Sequence, residues 1–175
     1  MTAPTIGPVR SGELPHLHAL IERAYRGEAA RAGWTHEADL LDGQRTDPDA
    51  LAEIVADPEQ RLLVAREGDA IVGCVNLRLV APDRCYLGLL TVEPALQAAG
   101  LGRALIEAAE GAARAMGASL MEMTVIARRT ELVGWYERRG YRLTGERRPF
   151  PLDDPRFGLP LTRDLDFVVL ERRLG

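Results

Sequence analysis

The sequence predicts a mixed α/β domain, and three observations lead to that class. Segments with apolar residues at helical spacing alternate with short apolar runs rich in Val, Ile and Leu, which favour strands. The chain has 175 residues, 46% of them hydrophobic, which predicts one domain (residues 1–175) with a substantial core. In its middle, an apolar run leads through a glycine-bearing turn into a long alanine-rich segment, the order of a strand, a loop and a helix.

The first part of the chain predicts a short strand and two helices. Residues Thr5–Val9 are compatible with a strand, and Ser11 is a candidate N-cap for a helix that runs to about Tyr25. The apolar residues of that helix recur at helical spacing: Leu14, Leu17, Leu20, Ile21 and Ala24. Asp47 followed by Pro48 is typical of an N-cap and a first helical residue, so a second helix is expected from there to about residue 57.

A three-stranded meander is expected next, over about residues 61–66, 70–80 and 85–92. A helix follows over Gln97–Met116, with Gly117 as its C-cap. Its predicted buried face holds Leu101, Ala104, Leu105, Ala108 and Ala112, and its outer face an ion pair between Glu110 and Arg114. The remaining chain predicts a strand over 120–126, a helix from an N-cap at Thr130 to Arg139, a strand over 141–146, a loop over 149–160 and a final strand over 164–173.

Composition excludes several classes of function. The formal net charge is −4 and the pI is about 5.5, so the basic surface expected of a nucleic-acid-binding protein is not supported. No Cys and His residues have metal-ligand spacing, so no metal is expected, and no apolar run reaches the length of a membrane span. Cys74 and Cys85 lie in apolar runs, which predicts that both are buried, reduced thiols. Because no secretory signal is visible either, we expect a cytoplasmic protein.

The glycine-bearing turn carries the first functional motif, Gln97-x-x-Gly100-x-Gly102, after Val92-x-Pro94. A strand that leads through glycines into a helix N-terminus can bind an anion, because the first N–H groups of a helix lack partners. The turn is neither a Walker A loop nor a Rossmann fingerprint, since no Lys-Ser or Lys-Thr follows and Leu105 stands at the third glycine position. The alternative is an ordinary turn before a helix.

A second motif, Trp135-Tyr136-x-x-x-Gly140-Tyr141, follows downstream. Together, the two motifs resemble the acetyl-CoA loop and the aromatic segment of the GNAT-family N-acetyltransferases. The resemblance covers about residues 61–141 well. It implies a single GNAT-like domain, in which a central mixed, mostly antiparallel sheet is flanked by helices and two strands splay at the cofactor site.

The resemblance also implies where acetyl-CoA binds. The pantetheine arm would contact the strand at Leu90, Thr91 and Val92, and backbone N–H groups would hold the pyrophosphate at Gln97, Ala98, Ala99, Gly100, Leu101, Gly102 and Arg103. Arg103 is charged, and it is either a phosphate ligand or a solvent-facing residue of the helix.

Tyr136 stands at the family's tyrosine, which commonly protonates the CoA sulfur. A phenol is protonated at neutral pH and can serve as this acid; the alternative is a core aromatic with a bonded hydroxyl. No base is assigned, since Tyr86 occupies the position where some members carry a glutamate, and Glu122 is the nearest other carboxylate. The family's asparagine contact is not carried over, because its position holds Arg129.

The acceptor is expected to be a primary amine of a small molecule or a protein. Tyr25 and Trp34 are the candidate binding residues, in a segment that also holds Arg26, His36 and Glu37. Ordinary loop residues packed on the sheet are the alternative.

We therefore expect an N-acetyltransferase that works by direct transfer in a ternary complex, without nucleic-acid or membrane partners. A non-catalytic acyl-CoA-binding sensor is the alternative, and a different nucleotide-binding α/β enzyme is a weaker one. A homodimer is left open, with the final apolar strand as its candidate contact.

Overall fold

The computed structural model describes residues 3–26, 41–42, 46–97, 99–151, 159–161 and 165–175. Within them, seven strands form one sheet in the order β1-β3-β4-β5-β6-β9-β7, and a two-stranded sheet pairs β2 with β8. The strands are β1 (Thr5–Pro8), β2 (Leu41–Asp42), β3 (Gln60–Glu67), β4 (Ala70–Ala81), β5 (Arg84–Val92), β6 (Leu120–Ile126), β7 (Arg142–Pro149), β8 (Leu159–Pro160) and β9 (Asp166–Arg173). The helices are α1 (Leu14–Tyr25), α2 (Pro48–Ala56), α3 (Leu101–Ala115) and α4 (Thr130–Glu137), with 3₁₀ turns at Ser11–Glu13 and Pro94–Leu96.

Neighbouring strands of the large sheet pair antiparallel, except that β5 and β6 run parallel. This mixed, mostly antiparallel sheet confirms the predicted fold class. The final strand, which the sequence left open as a dimer contact, lies between β6 and β7 with both edges paired, so it has no free edge for pairing with a second chain. The small β2–β8 sheet was not predicted, because two-residue strands show no periodicity.

Helices cover both faces of the sheet. On one face, α3 packs on β3, β4 and β5 in the main core cluster, while α1 and α2 cover the other face in a second cluster. Asp47 caps α2 as predicted, accepting a hydrogen bond from the Ala50 N–H at 2.8 Å. No helix in the described part of the chain is long and apolar enough to cross a membrane.

Helix α3 differs from the sequence prediction in its start and in its buried face. It begins at Leu101 rather than Gln97, because Gly100 has a left-handed φ of 84° that ends the preceding loop. The buried face comprises Leu101, Leu105, Ile106, Ala109, Glu110 and Ala113, whereas Ala104, Ala108 and Ala112 are half-buried. Gly117, with φ 92°, follows the helix in the predicted C-cap conformation.

The predicted ion pair between Glu110 and Arg114 is also wrong. The Glu110 carboxylate is buried and accepts hydrogen bonds from the Tyr141 hydroxyl at 2.9 Å and from Arg172 at 2.9 and 3.1 Å. These partners come from other elements, so local helical spacing gave no sign of them.

Two predicted caps also differ. Ser11 begins a 3₁₀ turn instead of capping α1 directly, and Thr130 is the first residue of α4, whose N-cap position is held by Arg129.

Candidate active site

The site forms where β5 and β6 separate. The two strands pair only over Arg84–Tyr86 and Leu120–Glu122. Beyond that point β5 contains a bulge: Gly88 pairs with Asn76 and Thr91 with Cys74, so two residues of β5 lie opposite one residue of β4. Leu89, in the bulge, has a positive φ of 52°, which is strained for a leucine.

The bulge is held by side-chain hydrogen bonds. The Leu89 carbonyl accepts from the Thr91 hydroxyl at 2.8 Å and from the Cys74 thiol at 3.2 Å. The Leu90 carbonyl accepts from the hydroxyl of Tyr25, the last residue of α1. The end of α1 is therefore fixed to the strand at the point where the gap opens.

Two cavities flank this gap. The first, which we call the loop-side cavity, measures about 410 Å³ and the second, the sheet-side cavity, about 390 Å³. Tyr25, Leu90, Leu132 and Tyr136 line both of them. The loop-side cavity is completed by Val92, Gln97, Gly100, Gly102, Arg103, Trp135 and Arg139. Because they share these residues, the two cavities meet at the separated strands.

The predicted cofactor residues divide into two groups. Those that line the loop-side cavity are Leu90, Val92, Gln97, Gly100, Gly102 and Arg103; those that do not are Thr91, Ala99 and Leu101. The structure does not describe Ala98. The Gln97 side chain turns back and donates to the Val92 carbonyl at 3.2 Å.

The start of α3 is open to the cavity. No side-chain hydrogen bond caps the helix at Gly100, and both Gly100 and Gly102 line the cavity. Gly102 lies against Trp135: a Cβ at this glycine would be 3.3 Å from the indole ring. A larger residue there would displace Trp135 from the cavity wall.

Arg139, which the sequence analysis did not select, forms part of the same wall. Its guanidinium carbon lies 3.7 Å from the centroid of a Trp135 ring, and it donates to the Trp135 carbonyl at 2.9 Å. Its Nε is buried and has no partner among the described residues. Burial, together with the charges of Arg138 and Arg103, lowers the pKa of Arg139. Its position four residues after Trp135, at helical spacing, is the sequence signal that could have identified it.

Tyr136 lies at the junction of the cavities and is only 5% exposed. Its ring makes edge contacts with Trp135 and Tyr141, at centroid distances of 5.1 and 6.0 Å. None of the described residues hydrogen-bonds to its hydroxyl. Burial raises the pKa of Tyr136, with a smaller contribution from Tyr25, so the phenol is protonated at neutral pH.

The sheet-side cavity combines polar groups of the sheet with aromatic rings. The hydroxyls of Tyr86 and Thr124 are 2.5 Å apart, and Phe150 and Phe167 contact each other with centroids at 5.3 Å. The cations that line it are Arg26, Arg78 and Arg129, and no Asp or Glu belongs to the described lining. Trp34 lies outside the described residues, so only Tyr25 of the two predicted acceptor residues is placed at the cavities.

Glu122, the carboxylate that the sequence analysis named as the nearest candidate for a base, is absent from the described lining of both cavities. Its carboxylate is buried between Arg84 at 2.9 Å and Arg148 at 3.6 Å. Within the described residues, no group of three His, Cys, Asp or Glu side chains is arranged to hold a metal.

Comparison with known proteins identifies the family. The model of the acetyltransferase (GNAT) domain matches residues 23–150, more than half of the chain, and the chain belongs to this family. No curated protein sequence matches the chain.

Solved structures share the fold at low sequence identity. The ribosomal-protein-S18-alanine N-acetyltransferase of Escherichia coli has 16% identity and a TM-score of 0.71, covering 98% of this chain and 94% of its own. The yncA protein of Salmonella typhimurium, whose structure holds its cofactor acetyl-CoA, has 20% identity, a TM-score of 0.73 and coverage of 99% and 95%. A spermidine N-acetyltransferase SpeG chimera from Vibrio cholerae and hSSAT has 16% identity, a TM-score of 0.72 and coverage of 99% and 96%. These likenesses establish the GNAT fold for the whole chain.

Proposed function

We propose that this protein is an acetyl-CoA-dependent N-acetyltransferase that acetylates a primary amine by direct transfer in a ternary complex. One observation carries the proposal: Tyr136, a buried phenol whose hydroxyl is not bonded to any described residue, lies where two cavities meet between separated strands. A thioester in the gap would have the donor in one cavity and the amine in the other. The acetyl-CoA in the structure of the yncA neighbour supports this donor.

The loop-side cavity suits the donor. Its uncapped helix N-terminus at Gly100 offers N–H groups and partial positive charge to the pyrophosphate. Arg139, braced on Trp135, and Arg103 add positive charge on the same wall. The bulged strand at Leu90 and Val92 would receive the pantetheine arm. Thr91 and Leu101 would contribute through their backbones only, because their side chains are buried.

The reaction requires two proton movements. As the amine nitrogen bonds to the acetyl carbon, the carbon–sulfur bond breaks and Tyr136 donates its proton to the departing sulfur. The amine nitrogen loses one proton to water. After the reaction, water returns a proton to the Tyr136 phenolate. Arginines around the sheet-side cavity favour the neutral amine that can attack, since positive charges nearby disfavour an ammonium ion.

A non-catalytic acyl-CoA sensor is the second candidate, favoured by the lack of a carboxylate in the described lining of the sheet-side cavity. Thiol release from acetyl-CoA, followed over a broad panel of primary amines, separates the two. Amine-dependent thiol release with formation of the acetylated amine would support the enzyme. Acetyl-CoA binding without turnover on any amine would favour the sensor.

The two cysteines bear on the expected compartment. Cys74 and Cys85 are buried and are not joined in a disulfide, which supports the cytoplasm as the place where the protein works.

A further inference from the structure

We propose that the acceptor is a small amino acid, a primary amine that also carries a carboxylate, and that Arg78 and Asn76 select it in the sheet-side cavity. The proposal rests on the acetyltransferase function proposed above and names its substrate class. Its basis is the position, bonding and charge of two neighbouring residues of β4.

Arg78 supplies a cation at the cavity. It lines the cavity and lies opposite Tyr86 in the β4–β5 pairing, but it forms no hydrogen bond or ion pair with any residue that the structure describes. Asp57 is within electrostatic range, but its carboxylate is bonded to the Gln60 side chain and the Glu59 N–H, each at 2.9 Å. Arg78 is exposed, so its guanidinium donors are open to a ligand that enters the cavity, and a carboxylate matches its paired N–H groups.

Asn76 supplies an acceptor two residues away on the same face of β4. It is 9% exposed, and its Nδ2 donates to the Gln60 side-chain oxygen at 2.8 Å. Its Oδ1 is buried and has no donor among the described residues. A buried carbonyl oxygen without a donor destabilises the folded state. We therefore expect this atom to accept a hydrogen bond from an N–H group of a bound molecule.

The strand geometry sets the spacing between the two contacts. Asn76 pairs with Gly88, directly before the bulge at the gap, whereas Arg78 pairs with Tyr86 further from it. Alternate residues of a strand are about 6.6 Å apart. An N–H-bearing group held at Asn76 would thus lie beside the gap, and an anion held at Arg78 would point away from it. This polarity matches a compact molecule with an amine at one end and a carboxylate at the other.

Charge and shape elsewhere in the cavity agree with this class. Arg26 and Arg129 belong to the same lining, which adds positive potential for an anion and disfavours amines that carry only positive charge. Phe150 and Phe167 form an apolar wall that can contact a hydrocarbon side chain. Apolar amino acids therefore fit better than polyamines.

The test uses matched pairs of acceptors with the full-length protein. Each pair is an amino acid and the amine that lacks only its carboxylate: alanine and ethylamine, leucine and isopentylamine, phenylalanine and phenethylamine. We expect at least one amino acid to exceed its partner in kcat/KM by about tenfold or more, the scale of one charge-assisted contact. Arg78→Met should remove most of this preference and Arg78→Lys should keep part of it. Arg114→Met, which removes an exposed charge from the last turn of α3, should leave it unchanged.

The outcomes separate the inference from the proposed function. Acetylation of the decarboxylated amines as efficient as, or better than, that of the amino acids would overturn the inference and leave the acetyltransferase standing. A preference that survives Arg78→Met would overturn the role of Arg78. Turnover on no amine, in these pairs or in a broad panel, would overturn both.

Discussion

The burial of its ring suits Tyr136 to the proposed role of general acid. A phenol packed between Trp135 and Tyr141 resists ionisation, and Tyr136 lines both cavities, so the proposed recipient of its proton is a group that enters the gap. Tyr141 presents a contrast in the same motif, because its hydroxyl is already bonded to Glu110.

Tyr136→Phe should lower kcat by about 10²-fold or more, the usual contribution of a general acid, and leave the acetyl-CoA dissociation constant nearly unchanged. Steady-state kinetics and calorimetry measure the two quantities. Tyr141→Phe, the matched control, should reduce stability without a comparable loss of kcat. Wild-type kcat in Tyr136→Phe would contradict the acid assignment.

Arg139→Met should weaken acetyl-CoA binding by about tenfold and reduce its dependence on salt, because a phosphate would lose a cation held on Trp135. Calorimetry at two salt concentrations tests this. Arg138→Met, an exposed neighbour, is the control and should have little effect. Equal losses of acetyl-CoA affinity in the two variants would show that binding depends on the overall positive charge of this surface and not on the Arg139 guanidinium held against Trp135.

Sequence reasoning reached the residues that belong to contiguous motifs. Gly100, Gly102 and Tyr136 follow from fixed spacing, and the structure places all three at the loop-side cavity. It did not select Asn76 and Arg139, whose proposed roles depend on what surrounds them in three dimensions. It also took Glu110 for an exposed residue, because its partners are far away in the chain.

The buried Glu110 links α3 to Tyr141, which directly precedes β7, and to Arg172 of β9. A carboxylate inside the core is tolerated only when its oxygens are bonded, and here both Tyr141 and Arg172 donate to it. This contact helps to hold α3 against the sheet and, with it, the glycine loop.

Glu110→Gln should lower the free energy of unfolding by about 2–3 kcal/mol, since it weakens the charge-assisted hydrogen bonds from Tyr141 and Arg172. Urea unfolding measures the change. Glu107→Gln removes an exposed pair with Arg103 one turn earlier and should cost less than about 0.5 kcal/mol. Similar effects of the two substitutions would mean that the Glu110 cluster does not stabilise the fold.

At the scale of elements, long periodic segments were predictable and local departures were not. The helices and strands of the large sheet follow from apolar spacing, with boundaries that shift by a few residues. The bulge at Leu89 could not be predicted, because its positive φ occurs at a leucine and is maintained by Tyr25, Cys74 and Thr91. The order of strands came from the family resemblance, since pairing depends on contacts distant in sequence.

For the whole molecule, stability should depend on pH through Glu13, which joins the N-terminal turn to β3. Two hydrogen bonds of 2.7 Å from Arg66 lower the pKa of Glu13 from 4.5 to about 2. A depressed carboxyl pKa stabilises the folded state above the unfolded value, and this contribution is lost as pH falls from about 4.5 towards 2.

Glu13→Gln should therefore be less stable than the wild type by about 1–2 kcal/mol at pH 7, and the difference should shrink as pH falls through that window. Urea unfolding at several pH values tests this. A difference that stays constant from pH 7 to pH 3 would show that the charge of Glu13 is not responsible.

The most direct test of the account as a whole is calorimetric titration of the protein, freed of any co-purified CoA, with acetyl-CoA and with ATP as competitor. We expect saturable binding at one site per chain that ATP does not displace, because ATP shares the phosphates but lacks the pantetheine arm that would lie along β5. Absence of acetyl-CoA binding in a folded sample would contradict the account. The loop from Gln97 to Gly102 would then be only a turn before a helix.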